Sequence, residues 1–224
     1  MLLLFSLFSY KHFAMKLIVF GATGMVGQQL VQQALWKGHT VKAFGRNVFT
    51  AGLPEDEKLE LVKGALFDEK EVYDAIKDCD AVLSVLGGAI DGADKTRSLG
   101  IKNIIKQMNK AGVKRIIAIG GLGVLQQDEE TMLLEDENYP EEYLAVGKEH
   151  LYVYHALNES GLQWTFVCPP NILNETATGN FITNANYAPQ PNSMKIAAGD
   201  LALFMLAELE KHEFVNTRVG ICNT

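Results

Sequence analysis

The residue types that could do chemistry gather where apolar runs end. Gly21-Ala22-Thr23-Gly24-Met25-Val26-Gly27 follows the apolar run Lys16–Phe20 and opens a stretch with helical spacing. G-x-x-G-x-x-G between a strand and a helix is an anion cradle. Its early glycines let the backbone turn tightly and approach a pyrophosphate, while free N–H groups and the helix dipole hold the charge. Gly27 lets the helix pack close to the strand. Glycine spacing by itself is weak, but the strand–turn–helix setting makes it specific. Gly21, Thr23, Gly24, Met25 and Val26 are the expected cofactor contacts here.

The next apolar run ends Ala43-Phe44-Gly45-Arg46-Asn47, without the acidic residue that would bond a ribose 2′-hydroxyl. A guanidinium suits a 2′-phosphate, so Arg46 points to NADP(H). Leu86-Gly87-Gly88 closes a fourth run, and its glycines let backbone pass close to the adenosine and pyrophosphate. A fifth run, Ile116 to Ile119, ends in Gly120, Gly121 and Gly123. Gly120 and Gly121 are expected under the nicotinamide end.

These residues need a frame of alternating strands and helices. Strand-like runs are Lys16–Phe20, Thr40–Phe44, Leu59–Val62, Ala81–Val85, Val113–Ile119, Trp164–Val167 and Arg218–Cys222. Helical spacing covers Gly24–Lys37, Asp94–Ala111, Leu144–Ser160 and Asp200–Lys211. A further helix follows Asp68, whose side chain can cap it. Short apolar strands alternating with helices predict an α/β fold: a single doubly wound, Rossmann-type parallel sheet with helices on both faces. A small substrate-side region is drawn from about 124–145 and 171–197. Residues 15–224 form this one domain.

The chain has 224 residues, and its net charge of −7 excludes a partner that binds through a nucleic-acid backbone. Three scattered cysteines fit a reducing cytoplasm. No Cys/His cluster has metal spacing; His150 and His155 do not share a helix face. The apolar segment 1–14 is too short to span a membrane and lacks signal-peptide flanks. Met15, directly before the first strand, reads as the functional start; the other reading of 1–14 is an apolar arm touching membrane or partner.

With these residues placed, the chain resembles the atypical short-chain dehydrogenase/reductases of the NAD(P)H-binding, NmrA-like group, and within it the biliverdin-IXβ reductase or flavin reductase branch. The resemblance covers about 15–222. It rests on F-G-A-T-G-x-x-G at 20–27, Arg46, L-G-G at 86–88, E-S-G-L at 159–162, P-P-N-I at 169–172, T-G-N-F at 178–181 and G-D-L-A-L-F-M-L at 199–206. It implies an NADPH-dependent reductase, a monomer or weak homo-oligomer, passing hydride to a small flat conjugated acceptor. It also places Pro169 beside the cofactor.

The chain departs from that pattern where side-chain chemistry is expected. Gly120 and Gly121 stand where the branch has Thr and Ser, and Asn171 stands where it has His. The Tyr-x-x-x-Lys pair of standard short-chain dehydrogenases, in which Tyr donates a proton and Lys lowers its pKa, is missing. Val146 and His150 hold those positions. Tyr73-x-x-x-Lys77 matches only in letters, being on the wrong helix. Carbinol oxidation and sugar epimerisation therefore lack their acid/base. Hydride transfer to a flavin or quinone needs chiefly stacked geometry. Asn171 is the one candidate catalytic amide, His150 and Tyr143 are distant proton sources, and a plain surface role suits His150 better. The alternative function is a non-catalytic NADP(H)-binding redox sensor.

Residues 127–143 carry eight acids and no base, and without those acids the net charge would be +1. In the fold implied by the resemblance this stretch passes over the substrate side. An anionic rim there would disfavour phosphorylated acceptors.

Overall fold

The computed structural model describes residues 14–89, 91 and 93–224. The N-terminal extension falls, but for Ala14, outside the described residues. The chain runs β1 (Lys16–Phe20), α1 (Met25–Trp36), β2 (Thr40–Gly45), β3 (Leu59–Lys63), α2 (Glu69–Ile76), β4 (Ala81–Ser84), α3 (Thr96–Ala111) and β5 (Arg115–Ile119). It continues α4 (Glu141–Asn158), β6 (Gln163–Cys168), β7 (Asn171–Leu173), β8 (Phe181–Ala185), β9 (Lys195–Ala197), α5 (Ala198–Lys211) and β10 (Thr217–Asn223).

Eight strands form one sheet in the order β3-β2-β1-β4-β5-β6-β10-β8, and β7 pairs with β9 apart from it. Every neighbour in the large sheet is parallel except β8, which lies antiparallel on β10. The chain builds outward from β1 to β3, then crosses back to place β4 on β1's other side. Strand order reverses there, and the crevice above the carboxyl ends of β1 and β4 is the ligand position of an open α/β sheet.

Both faces of the sheet are buried, so β1 is apolar throughout. Leu17 and Val19 enter the core beneath α1 and α5, whereas Ile18 and Phe20 enter the core beneath α2, α3 and α4. Each such fully buried side chain contributes about 1.5–3 kcal/mol relative to exposure. Local signals set the helix ends. Asp68 caps α2 by accepting from Glu71 N at 2.9 Å. Gly112 ends α3 in the left-handed conformation, at φ 78°.

The expected strands and helices are all present with small shifts at their ends. α4 starts at Glu141 rather than Leu144, with Glu141 and Glu142 in its first turn, where the helix dipole favours acids. Three strands lie beyond the sequence expectation: β7, β8 and β9. They are short, β7 and β8 are half-exposed or exposed throughout, and β9 has only two buried residues, so none has the apolar run that marks the parallel strands. Buried Asp200 at the start of α5 holds this region together. It accepts from Thr178 N (2.7 Å), Gly179 N (2.7 Å), Thr178 Oγ1 (2.9 Å) and Asn223 Nδ2 (2.6 Å).

Candidate functional site

The loop between β1 and α1 is shaped by two glycines where any side chain would collide with backbone. Gly21 has φ +87°, and a Cβ on it would stand 2.5 Å from Val85 O. A Cβ on Gly27 would stand 2.1 Å from Gly21 O, so the first turn of α1 rests directly on the loop. Gly24 caps α1 without any side-chain bond, and the first turn holds no acid. The leading N–H groups and the positive end of the dipole therefore face outward without an internal anion.

In front of them lies a cleft of about 430 Å³. Gly21, Thr23, Gly24, Met25, Val26, Leu86, Gly87 and Gly120 line it, and so do Val85, Arg97, Ile119, His150 and Ile172. Gly87 has nothing within 4 Å of its missing side chain, leaving its backbone open to a ligand. Gly88 instead turns aside: a Cβ there would meet Asp94 Oδ2 at 2.6 Å. Gly88 and Ala89 offer their carbonyls to Arg97, whose Nη2 and Nη1 donate at 2.8 and 3.0 Å. Among the described residues Arg97 is the charged group of the cleft lining, and it carries no local signal in the sequence because it sits amid the apolar spacing of α3.

Arg46 lies outside the cleft at the exposed end of β2. Its neighbour Gly45 has Thr23 Cγ2 3.6 Å from its missing Cβ, so the β2 end flanks the phosphate loop. Arg46 itself is open to solvent.

A second cavity of about 310 Å³ adjoins the first, with His150 in the wall of both. Gly121, Pro169 and Asn171 line this cavity, together with Leu122, Gly123, Tyr139, Pro140, Tyr143, Val146, Gly147, Pro170 and Met194. Asn171 donates its backbone N–H to Met194 O at 3.3 Å as part of the β7–β9 pairing, and its side chain is exposed. Tyr73 on α2 and Lys77 just after it stand apart from both: Lys77 pairs with Asp74, and Lys110 covers the Tyr73 ring.

The glycine floor after β5 has a steric cause. A Cβ at Gly120 would stand 2.6 Å from the Phe166 ring, and one at Gly121 would stand 2.8 Å from His150. His150 is therefore part of the site rather than of the outer helix surface. Burial first, then the Arg97 charge, push its imidazole from the ordinary 6.5 down to about 3, with Glu149 opposing. Glu149 itself is buried. Burial would raise its carboxyl, but hydrogen bonds from Ser98 and Lys95 outweigh that and hold it low.

The acidic segment walls the second cavity with Tyr139, Pro140 and Tyr143 rather than with its carboxylates. Several acids serve their own turns. Asp128 accepts from Glu130 N and Thr131 N, Glu135 from Met132 N, and Asp136 from Asn138 N. Buried Arg218 anchors the stretch just before it, donating to Val124 O at 2.6 Å and Gln126 Oε1 at 3.0 Å. Among the described residues no cluster could hold a metal ion, and no helix is long and apolar enough to cross a membrane.

A family model described as NAD(P)H-binding matches residues 21–212. The uncharacterised protein YwnB of Bacillus subtilis is 28% identical over 223 residues, covering 92% of this chain and 98% of that one. A candidate NADH-flavin reductase from Streptococcus pneumoniae superposes with TM-score 0.78 at 27% identity, covering 94% of this chain and 100% of the other. A short-chain dehydrogenase/reductase of Veillonella parvula, solved with NADP, has TM-score 0.74 at 16% identity, covering 94% of this chain and 95% of that one, and so speaks for the fold.

Proposed function

Since the chain belongs to the NAD(P)H-binding family, we propose that it is an NADPH-dependent oxidoreductase that reduces a small, flat, conjugated acceptor such as a flavin or quinone. One observation carries this reading: the groove in front of the phosphate loop runs into an aromatic-walled cavity, and both share His150 as a wall.

The residues fit the dinucleotide. The uncapped N-terminus of α1 and Arg97 suit the pyrophosphate, the open backbone at Gly87 suits close approach, and Arg46 beside Thr23 suits a 2′-phosphate. When bound, NADPH supplies a hydride. The floor at Gly120 and Gly121 lets a ring lie against backbone, and Tyr139, Pro140, Tyr143 and Met194 present flat or soft apolar surface to an acceptor ring. Positioning of two rings is then the main catalytic device. The candidate NADH-flavin reductase of S. pneumoniae lends the flavin reading some support. Three buried free cysteines fit a cytoplasmic protein.

A redox-sensor reading is favoured by Val146, which lines the cavity where standard short-chain dehydrogenases have their acid. Loss of nicotinamide absorbance, measured with NADPH and a panel of flavins and quinones, separates the two. Turnover above the protein-free rate is expected. Tight NADP(H) binding with no turnover on any acceptor would favour the sensor.

A further inference from the structure

We propose that His150 and Tyr139 are the polar groups that hold the acceptor, and that the acceptor is a planar conjugated carbonyl compound without phosphate. This rests on the reductase reading above. It starts from three glycines. A Cβ at Gly121 would stand 2.8 Å from His150 Cδ2 and 3.2 Å from Nε2. A Cβ at Gly123 would stand 2.5 Å from the Tyr139 hydroxyl, and one at Gly147 would stand 3.3 Å from it. The side-chain space missing at these positions is occupied by two rings from elsewhere. Gly147 and His150 lie one turn apart on α4 and share a face, so phenol and imidazole are neighbours along one wall of the second cavity.

Their chemistry selects the acceptor. His150 Nδ1 is buried without a hydrogen-bond partner. A buried N–H without an acceptor is worse than a lone pair without a donor. The ring proton therefore belongs on Nε2, over Gly121. The charged groups acting on the imidazole are Arg97 of α3 and Glu149 of α4, and burial dominates both, so the ring is neutral in ordinary buffers. A neutral imidazole N–H is a good donor to a carbonyl oxygen and a poor acid. Burial, then Tyr143, raise the Tyr139 phenol, so its hydroxyl keeps its proton. Among the described residues no lysine, arginine or carboxylate lines this cavity, leaving nothing there to pair with a phosphate.

In the step, the acceptor gains a hydride with two electrons from NADPH, which leaves as NADP+, and a proton from water. Charge that builds on the acceptor's carbonyl oxygen is met by His150 Nε2–H, a fixed donor of the oxyanion-hole kind. Tyr139 donates to a second polar edge of the ring and orients it.

The test uses the full chain with menadione, riboflavin and FMN. Turnover with NADPH is measured, and so is binding of menadione and riboflavin to the NADP+-loaded protein, by fluorescence quenching. Menadione or riboflavin is expected to exceed FMN, and whichever is turned over tells quinone from flavin. His150→Phe should lower kcat roughly 10- to 100-fold at saturating NADPH. His150→Asn, whose amide can still donate, should recover part of it. Tyr139→Phe should act chiefly on KM, raising it about 3- to 10-fold. The kcat of the wild type should be flat from about pH 5 to 8.

The proposal is overturned if His150→Phe leaves turnover within about twofold on every acceptor used, if kcat follows a group titrating near the ordinary histidine value, or if FMN is preferred. Should the wild type turn over nothing yet bind riboflavin or menadione in a His150-dependent way, the reductase reading fails and the pocket assignment stands. If neither compound binds, the pocket assignment falls as well.

Discussion

The two halves of the site are built by different means. The cofactor half is centred on a local device: seven consecutive residues, 21–27, make a turn, a close contact and a helix start without a side-chain cap. The acceptor half has no local motif. It draws on 121–123, 139–150, 169–171 and 194, segments that meet only after the sheet and α4 are in place. Glycine appears in both, with opposite neighbours. Gly27 faces backbone atoms of Gly21 and Ala22, whereas Gly121 faces the edge of a side-chain ring. The first is a rigid requirement of the fold, and the second makes room for a functional group.

The sharpest break of this comparison is Gly27→Ala. Its Cβ would stand 2.1 Å from Gly21 O and 2.7 Å from Ala22 Cα, and neither can give way without moving the loop. A loss of about 3 kcal/mol of stability or more is expected in chemical denaturation, with NADP(H) binding abolished. Near-normal melting would show that the loop is softer than its contacts imply.

Arg46→Ala comes next. NADPH affinity should fall roughly 10- to 100-fold while NADH affinity changes little, since only the 2′-phosphate is lost as a partner. Equal loss for both, by titration calorimetry, would remove Arg46 from cofactor selection. Gly121→Ser probes the other half. The neighbour is an imidazole that can turn, so stability should drop by only about 1 kcal/mol. NADP(H) affinity should hold and acceptor turnover should fall.

The lowered pKa of His150 gives a linkage effect. Between about 3 and the ordinary 6.5 the unfolded chain binds a proton that the folded chain does not. Stability is therefore full above the unfolded value and declines as pH falls below it. Denaturation midpoints of wild type and His150→Asn should diverge on acidification from pH 7 to pH 5, the wild type losing more. Parallel midpoints would mean that the imidazole protonates freely in the fold. The smallest effect belongs to the acidic segment, whose carboxylates do not line the cavity. Its preference for riboflavin over FMN should weaken only modestly as salt is raised. A salt-driven reversal would make the acids, rather than the neutral lining, the discriminator.

Legibility follows the same division. The buried parallel strands and their helices could be read because both faces of each strand are apolar. Gly21, Thr23, Gly24, Met25 and Val26 could be read because the turn needs them in sequence. β7 to β9 could not, being short pieces without an apolar run, held in place by Asp200 and Asn223 from a distance. Arg97 could not, because it sits in a helix whose other residues explain its pattern, and His150 could be read only as a distant proton source, with a plain surface role suiting it better. Tyr139 was hidden in a run of acids that reads as solvated surface.

By itself the sequence determined a doubly wound sheet, a phosphate loop at its first turn and a basic residue at the end of β2. All three depend on neighbours in the chain: alternation of elements, glycine spacing, and the residue that ends a strand. The fold alone decided what stands over the glycines after β5. A missing side chain says only that space is available. Which group fills it depends on where α4 and the acidic segment pack, and they pack so that an imidazole and a phenol lie over Gly121, Gly123 and Gly147.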